Sequence, residues 1–148
     1  SHMHNLLFLC TGNSCRSQMA EGWAREYIRK HGIDGLNVIS AGIEAHGKNP
    51  RAIAVMQKAG VDISNQESTR LTNEMLENVD LVVTVCGHAD ENCPALPAAT
   101  SKIHWALEDP AKAEGTEQQI MQIFRESRDD IKRRVYELMN NVNEGLSI

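Results

Sequence analysis

Two observations predict an α/β fold with a parallel four-stranded sheet flanked by helices. Leu6 to Leu9 and Leu81 to Val85 are short, continuous apolar runs, as expected of strands buried on both faces. Segments whose apolar residues recur at three and four positions alternate with the strand candidates. Right-handed crossovers then leave few ways to join such strands other than a mostly parallel sheet covered on both sides. In sheets of this kind ligands bind beyond the carboxyl ends of the strands, so chemistry is sought at those ends.

The first strand ends at Cys10, and a turn-rich stretch follows at once. From Gln18 onward Ala20, Trp23, Ala24, Tyr27 and Ile28 mark one face of a helix. Glu21, Arg25, Arg29 and Lys30 take the other, and Gly32 ends it. Val38 to Ala41 reads as the second strand. Asn49 and Pro50 supply the cap and first-turn residue of a helix carrying Ile53, Met56 and Ala59, closed by Gly60. Thr72 can cap a short helix through Met75 and Leu76. The third strand, Leu81 to Val85, is the most β-prone segment and places Cys86 at its carboxyl end. Ile103 to Trp105 is the fourth strand. Ile120, Ile123, Phe124, Ile131, Val135, Leu138 and Val142 stripe a final helix that begins near Glu117.

Composition narrows the function classes. With 148 residues the chain has the length of one ordinary domain. Ser1 and His2 ahead of Met3 read as a tag remnant before the start methionine, leaving 4–148 as the expected domain. A formal net charge of -5 without long Lys/Arg clusters speaks against nucleic acid and anionic membranes as partners. The apolar runs are too short to cross a bilayer, and no basic-then-apolar signal opens the chain, so a cytoplasmic location is expected. There, four cysteines read as reactive, metal-binding or buried, not as a disulfide framework.

Cys10-Thr11-Gly12-Asn13-Ser14-Cys15-Arg16-Ser17 sets a cysteine at a strand end, then small or polar residues, then an arginine and a serine at a helix start. A loop of this size can wrap a tetrahedral oxyanion with backbone N–H groups of Thr11 to Arg16, aided by the positive end of the helix. Gly12 allows close approach. Arg16 can grip two oxygens through its planar fork. The same field stabilises a thiolate at Cys10, and Ser17 can donate a hydrogen bond to it, which makes Cys10 the candidate nucleophile. A lone cysteine at a strand end is ordinarily core. Arg16 reverses that reading, because a charge in an apolar strand-to-helix junction is costly without an anion to pair with.

This P-loop after the first strand resembles the catalytic loop of low-molecular-weight tyrosine phosphatases. CTGNSCRSQMAEGW, Cys10 to Trp23, is most similar to their thioredoxin-coupled arsenate reductase relatives. SAGIEAHG at 40–47, DISNQ at 62–66, LVVTVCG at 81–87 and HWALEDPA at 104–111 resemble that family in the same order. The resemblance implies a low-molecular-weight phosphatase-like fold and reduction of arsenate to arsenite for arsenic detoxification. Asp109, before Pro110, becomes the general acid. Cys86 attacks the arsenylated Cys10, and Cys93 resolves the resulting disulfide. No bound cofactor is implied. The reductant is external, thioredoxin or else glutaredoxin with glutathione, and the chain is expected to act as a monomer. Cys15 is assigned no obligatory step.

Seven positions separate Cys86 from Cys93, so a bridge closes only if the polar segment between them bends, and that segment is expected to be a soft loop. His88, His46 and His104 are read as solvated. The rival enzyme is a low-molecular-weight tyrosine phosphatase. Ala111, Lys112 and Ala113 follow Pro110 in place of an aromatic residue, and no aromatic wall for a phenyl ring follows Gly42. A cysteine-liganded metal or a redox sensor without turnover fits poorly with the cysteine spacing and the adjacent Arg16. Some relatives hold potassium behind the loop. Asn13, Glu21 and Ser40 match that ligand set and would make a weak cation site, but Thr69 stands where the resemblance calls for Asp.

Overall fold

A computed structural model describes residues 5–143. The tag remnant at 1–3 and both ends of the expected 4–148 domain lie outside them. Four strands, β1 (Asn5–Cys10), β2 (Asn37–Gly42), β3 (Leu81–Thr84) and β4 (Ser101–His104), form one parallel sheet in the order β2-β1-β3-β4. The fold class is the one predicted. Leu6 to Leu9 and Leu81 to Val83 are each fully buried, as continuous apolar runs in a doubly covered sheet must be.

Helix α1 (Arg16–His31) starts two residues before the periodic pattern, because its first turns are buried all round and show no polar stripe. Gly32, in the left-handed conformation at φ 59°, closes it. Asn49 caps α2 (Pro50–Lys58) by accepting from Arg51 N at 2.8 Å, and Thr72 caps α3 (Asn73–Glu77) by accepting from Met75 N. The final helix, α5 (Glu117–Asn143), buries Phe124, Ile131, Val135, Leu138 and Met139. Ile123 departs from the expected stripe: it is 43% exposed and lines a surface cleft instead of the core.

Two expectations need correction. The segment after Cys86 is not a loop but a short helix, α4 (Gly87–Glu91), with Ala89 buried and Asp90 tied to Lys102 of β4 at 2.7 Å. Glu21, assigned to the polar face of α1, is only 5% exposed, because the end of β2 covers it.

Candidate active site

The cradle follows directly from the sheet. β1 and β2 run in parallel register to Cys10 opposite Gly42, so the chain leaving β2 passes beside the loop leaving β1. Ile43 N donates to Cys10 O at 3.0 Å, Glu44 N to Thr11 O at 2.8 Å, His46 N to Gly12 O at 2.9 Å and Asn49 N to Ser14 O at 2.9 Å. A trans peptide points its C=O and the following N–H in opposite directions. Tying these four carbonyls to one side therefore turns the N–H groups of Thr11, Gly12, Asn13 and Cys15 to the other, the concave side. Asn13 assists by adopting φ 48°, a left-handed conformation that Asn tolerates better than most residues.

Two glycines make this approach possible. A Cβ on Gly42 would collide with Glu44 O and with Asn13 N. A Cβ on Gly12 would run into the His46 ring. The need for Gly12 is thus set by the His46 ring beside it, and His46 is exposed, as expected, with half its side chain in solvent and Glu44 paired to it at 2.6 Å. Sequence reasoning gave the 43–49 segment the Asn49 cap but no part in holding the loop. The signal available was a glycine at the end of each of two adjacent strands.

Cys10 Sγ lies 2.9 Å from Ser17 Oγ, and Cys10 is 3% exposed. Arg16 is buried to the same order. Its Nη1 donates to Leu107 O at 2.9 Å and its Nη2 stands 3.7 Å from Asp109 Oδ2. Asp109 also accepts from Ala111 N at 3.0 Å, which caps a short 3-10 turn at Pro110–Lys112. Arginine and aspartate are in this way locked over the same cleft, whose lining includes Thr11, Cys86, Leu107 and Pro110.

Cys86 follows β3, whose register sets Leu9 beside Thr84, so Cys86 comes abreast of Thr11. Its sulfur sits 3.2 Å from Thr11 Oγ1 and accepts from Ala89 N at 3.4 Å. The structure therefore brings Cys10, Arg16, Ser17, Cys86 and Asp109 to one sheet edge. Cys93 is left beyond the far end of α4, partly buried. All four cysteines are free thiols. Burial, reinforced by the charge of Asp109, pushes the Cys15 thiol far up beside the nucleophile. Burial also raises the Cys93 thiol. His104 Nδ1 contacts Thr84 Oγ1 at 2.8 Å, and His88 lies exposed on α4.

The matched cation ligands are otherwise engaged. Asn13 Oδ1 accepts from Thr69 N at 2.7 Å and turns its Nδ2 donors toward Ser17 and Ser40. Glu21 is taken by Ser40 and Arg25. This donor set does not fit a cation: an amide N–H₂ faces the position, and the carboxylate already has a positive partner.

Residues 5–147 match the model of the low molecular weight phosphotyrosine protein phosphatase family. An arsenate reductase from Halalkalibacterium halodurans is 52% identical over 130 residues, 88% of this chain and 91% of that protein. The chain belongs to the arsenate reductase branch of this phosphatase family. Among solved structures, an arsenate reductase in the phosphate binding state aligns with a TM-score of 0.73 at 34% identity, covering 95% of this chain and 99% of that one. A thioredoxin-dependent arsenate reductase from Corynebacterium glutamicum aligns at 0.75 and 26% identity, covering 98% of this chain and 64% of that one.

Proposed function

We propose that this protein reduces arsenate to arsenite through a Cys10, Cys86 and Cys93 relay. The observation that carries the reading is a second thiol, Cys86, 3.2 Å from Thr11 of the cradle, where hydrolysis of a phosphate ester would have no use for it. The Cys10 thiolate attacks arsenic, and one oxygen departs as water after taking protons, Asp109 being the donor at hand. Cys86, as thiolate, then attacks the Cys10 sulfur. The S–S bond forms, the S–As bond breaks, and its electron pair stays on arsenic, which leaves as arsenite. Cys93 in turn attacks Cys86, releasing Cys10 as thiolate and leaving a Cys86–Cys93 disulfide for an external dithiol protein to reduce.

Thioredoxin is the reductant this reading favours, since a solved relative carries that dependence in its name. Glutaredoxin with glutathione is the alternative. The protein would work as a cytoplasmic monomer in arsenic detoxification, with no bound cofactor. Among the described residues no helix is long and apolar enough to cross a membrane. The phosphatase alternative has the same cradle and the same aspartate, but Ala111, Lys112 and Ala113 offer no aromatic contact for a phenyl ring.

The test is an arsenate reduction assay with thioredoxin, thioredoxin reductase and NADPH, run beside glutaredoxin with glutathione. Cys86→Ser and Cys93→Ser should each abolish multiple turnover while leaving oxyanion binding intact. Sustained turnover in both would refute the relay.

A further inference from the structure

In the proposed relay α4 opens before Cys93 reaches Cys86, so whatever holds that helix shut bears on the rate of the last thiol exchange. Asp90 is its polar tie to the sheet. Asp90 Oδ1 pairs with Lys102 Nζ of β4 at 2.7 Å and stands 3.4 Å from Thr84 Oγ1 of β3. The Lys102 pair lies at the surface, with about a third of each side chain in water, where such a bond adds little. Thr84 is fully buried. The register of β3 with β4 sets it opposite His104, whose Nδ1 is 2.8 Å from the same hydroxyl.

We propose that His104 is a positioning residue for the Cys93 step: a proton taken up by its ring turns the Thr84 hydroxyl from His104 to Asp90 and so latches α4 to β3. A threonine hydroxyl has one proton to give. An O–H donated to a carboxylate draws the two oxygens to about 2.5–2.7 Å. At 3.4 Å from Asp90 and 2.8 Å from His104, the Thr84 proton is therefore given to the ring, and Nδ1 accepts it. An imidazolium only donates. Protonation of Nδ1 thus reverses the bond, and Thr84, now accepting from His104, must place its own proton elsewhere. Two oxygens are in reach, Ile103 O and Asp90 Oδ1, each at 3.4 Å. The ionised carboxylate is the stronger acceptor. A bridge from His104 through Thr84 to Asp90 then spans β4, β3 and α4, and its middle member is out of water, where a hydrogen bond to a charge holds best.

The charged groups facing His104 are Asp90 from α4 and Lys102 from its own strand, and its partner on β3 is the uncharged Thr84. Lys102 first, then His104 and Thr84, hold the Asp90 carboxyl below its ordinary value. Cys93 lies near the same Lys102 and Asp90. Lys102 stays paired with Asp90 whether or not His104 is charged, so the part that changes is the bond from Thr84. By reciprocity, a proton on His104 and a closed α4 favour one another. Histidine is the side chain that changes charge between about pH 5 and 8: the added hold on α4 is present at the acid end of that range and is lost as pH rises through it. His88, the ring carried by α4 itself, contacts Asn92 instead.

The inference rests on the relay reading, and one arm of its test needs no turnover. Amide exchange over residues 87–91 of the reduced full chain, divided by the intrinsic rate at each pH, gives the protection of α4. Protection should rise about fivefold from pH 8 to pH 5.5. His104→Gln and Thr84→Val should each remove that rise, and the two together no more than either alone. Thr84→Ser, which keeps the hydroxyl, should keep it, and His88→Gln should leave it unchanged. In the second arm, decay of the Cys10–Cys86 disulfide into the Cys86–Cys93 bridge is followed by mass mapping after acid quench. His104→Gln should close the bridge about fivefold faster than the unsubstituted chain at pH 5.5 and at the same rate at pH 8, a ratio in which the shared loss of thiolate cancels. His104 is exposed and valine keeps the shape of threonine, so these variants retain the fold, which thermal unfolding verifies. Protection that does not change with pH, a rise that survives His104→Gln or Thr84→Val, or one that vanishes with His88→Gln would each overturn the proposal. Failure of the relay would show separately, as no Cys86–Cys93 bridge at any pH while the protection of α4 still follows His104.

Discussion

The cradle and the segment from Cys86 to Cys93 lie at the same sheet edge and are built to opposite specifications. Four cradle carbonyls are tied to a neighbouring chain segment, and two glycines are packed to contact. Helix α4 has five residues, one buried side chain and an ion pair at its surface. Holding an oxyanion needs donors that do not move. Passing a disulfide needs the reverse: seven helical positions would span about 10 Å, while bridged cysteines have Cα atoms roughly 4.4–6.8 Å apart. In the proposed relay α4 opens so that Cys93 can reach Cys86.

This contrast orders the expected effects of substitution. Arg16→Lys, which gives up the planar fork and its bond to Leu107 O, should lower kcat/KM for arsenate by about 10²-fold, measured in the coupled assay. Gly42→Ala drives a Cβ into backbone atoms of Glu44 and Asn13 and should cost about 2–4 kcal/mol in urea unfolding, with weaker oxyanion binding. Gly87→Ala in α4 is the counterpart. Its Cβ meets nothing, so it should stabilise the short helix by about 0.5–1 kcal/mol and slow Cys86–Cys93 disulfide formation without touching binding. Equal losses of stability at Gly42 and Gly87 would erase the distinction between the two regions.

Smaller effects sharpen it. Asp90→Asn removes the ion pair to Lys102 and should quicken amide exchange in 87–91 and disulfide closure at most a few-fold. The bond to Lys102 holds the Asp90 carboxyl below its ordinary value. Its contribution is therefore complete above the usual aspartate range, about pH 4, and disappears as pH falls through the lower folded value. Protection of α4 should follow that course, and Asp90→Asn should flatten it. Because burial raises the Cys93 thiol, multiple-turnover rates should climb between about pH 7 and 9 more steeply than a single-turnover release of arsenite, which does not need Cys93.

What could be read in advance follows the same division. Strands whose apolar runs are buried on both faces, the Asn49 cap and the cysteine-to-arginine spacing are local signals, and they located Cys10, Arg16, Ser17 and the sheet edge. Helix α4 was not legible. Its polar residues carry no period, and its order comes from Lys102 on a distant strand and from burial of Ala89. Glu21 was misread for a similar reason: helical periodicity cannot reveal Ser40, nineteen residues on, as the partner that buries it. His46 over Gly12 is likewise a contact between strand ends that only the pairing of β1 with β2 creates.

The carbonyl ties from the 43–49 segment have a consequence for selectivity. A receptor whose walls are tied to its own chain cannot reject a similar guest by failing to close around it. Phosphate and arsenate, tetrahedra of nearly equal size, must compete for the same seat, and abundant phosphate will occupy it often. Discrimination then belongs to electronics instead of fit: only arsenic, once joined to sulfur, readily takes back the electron pair when a neighbouring thiol pulls that sulfur away.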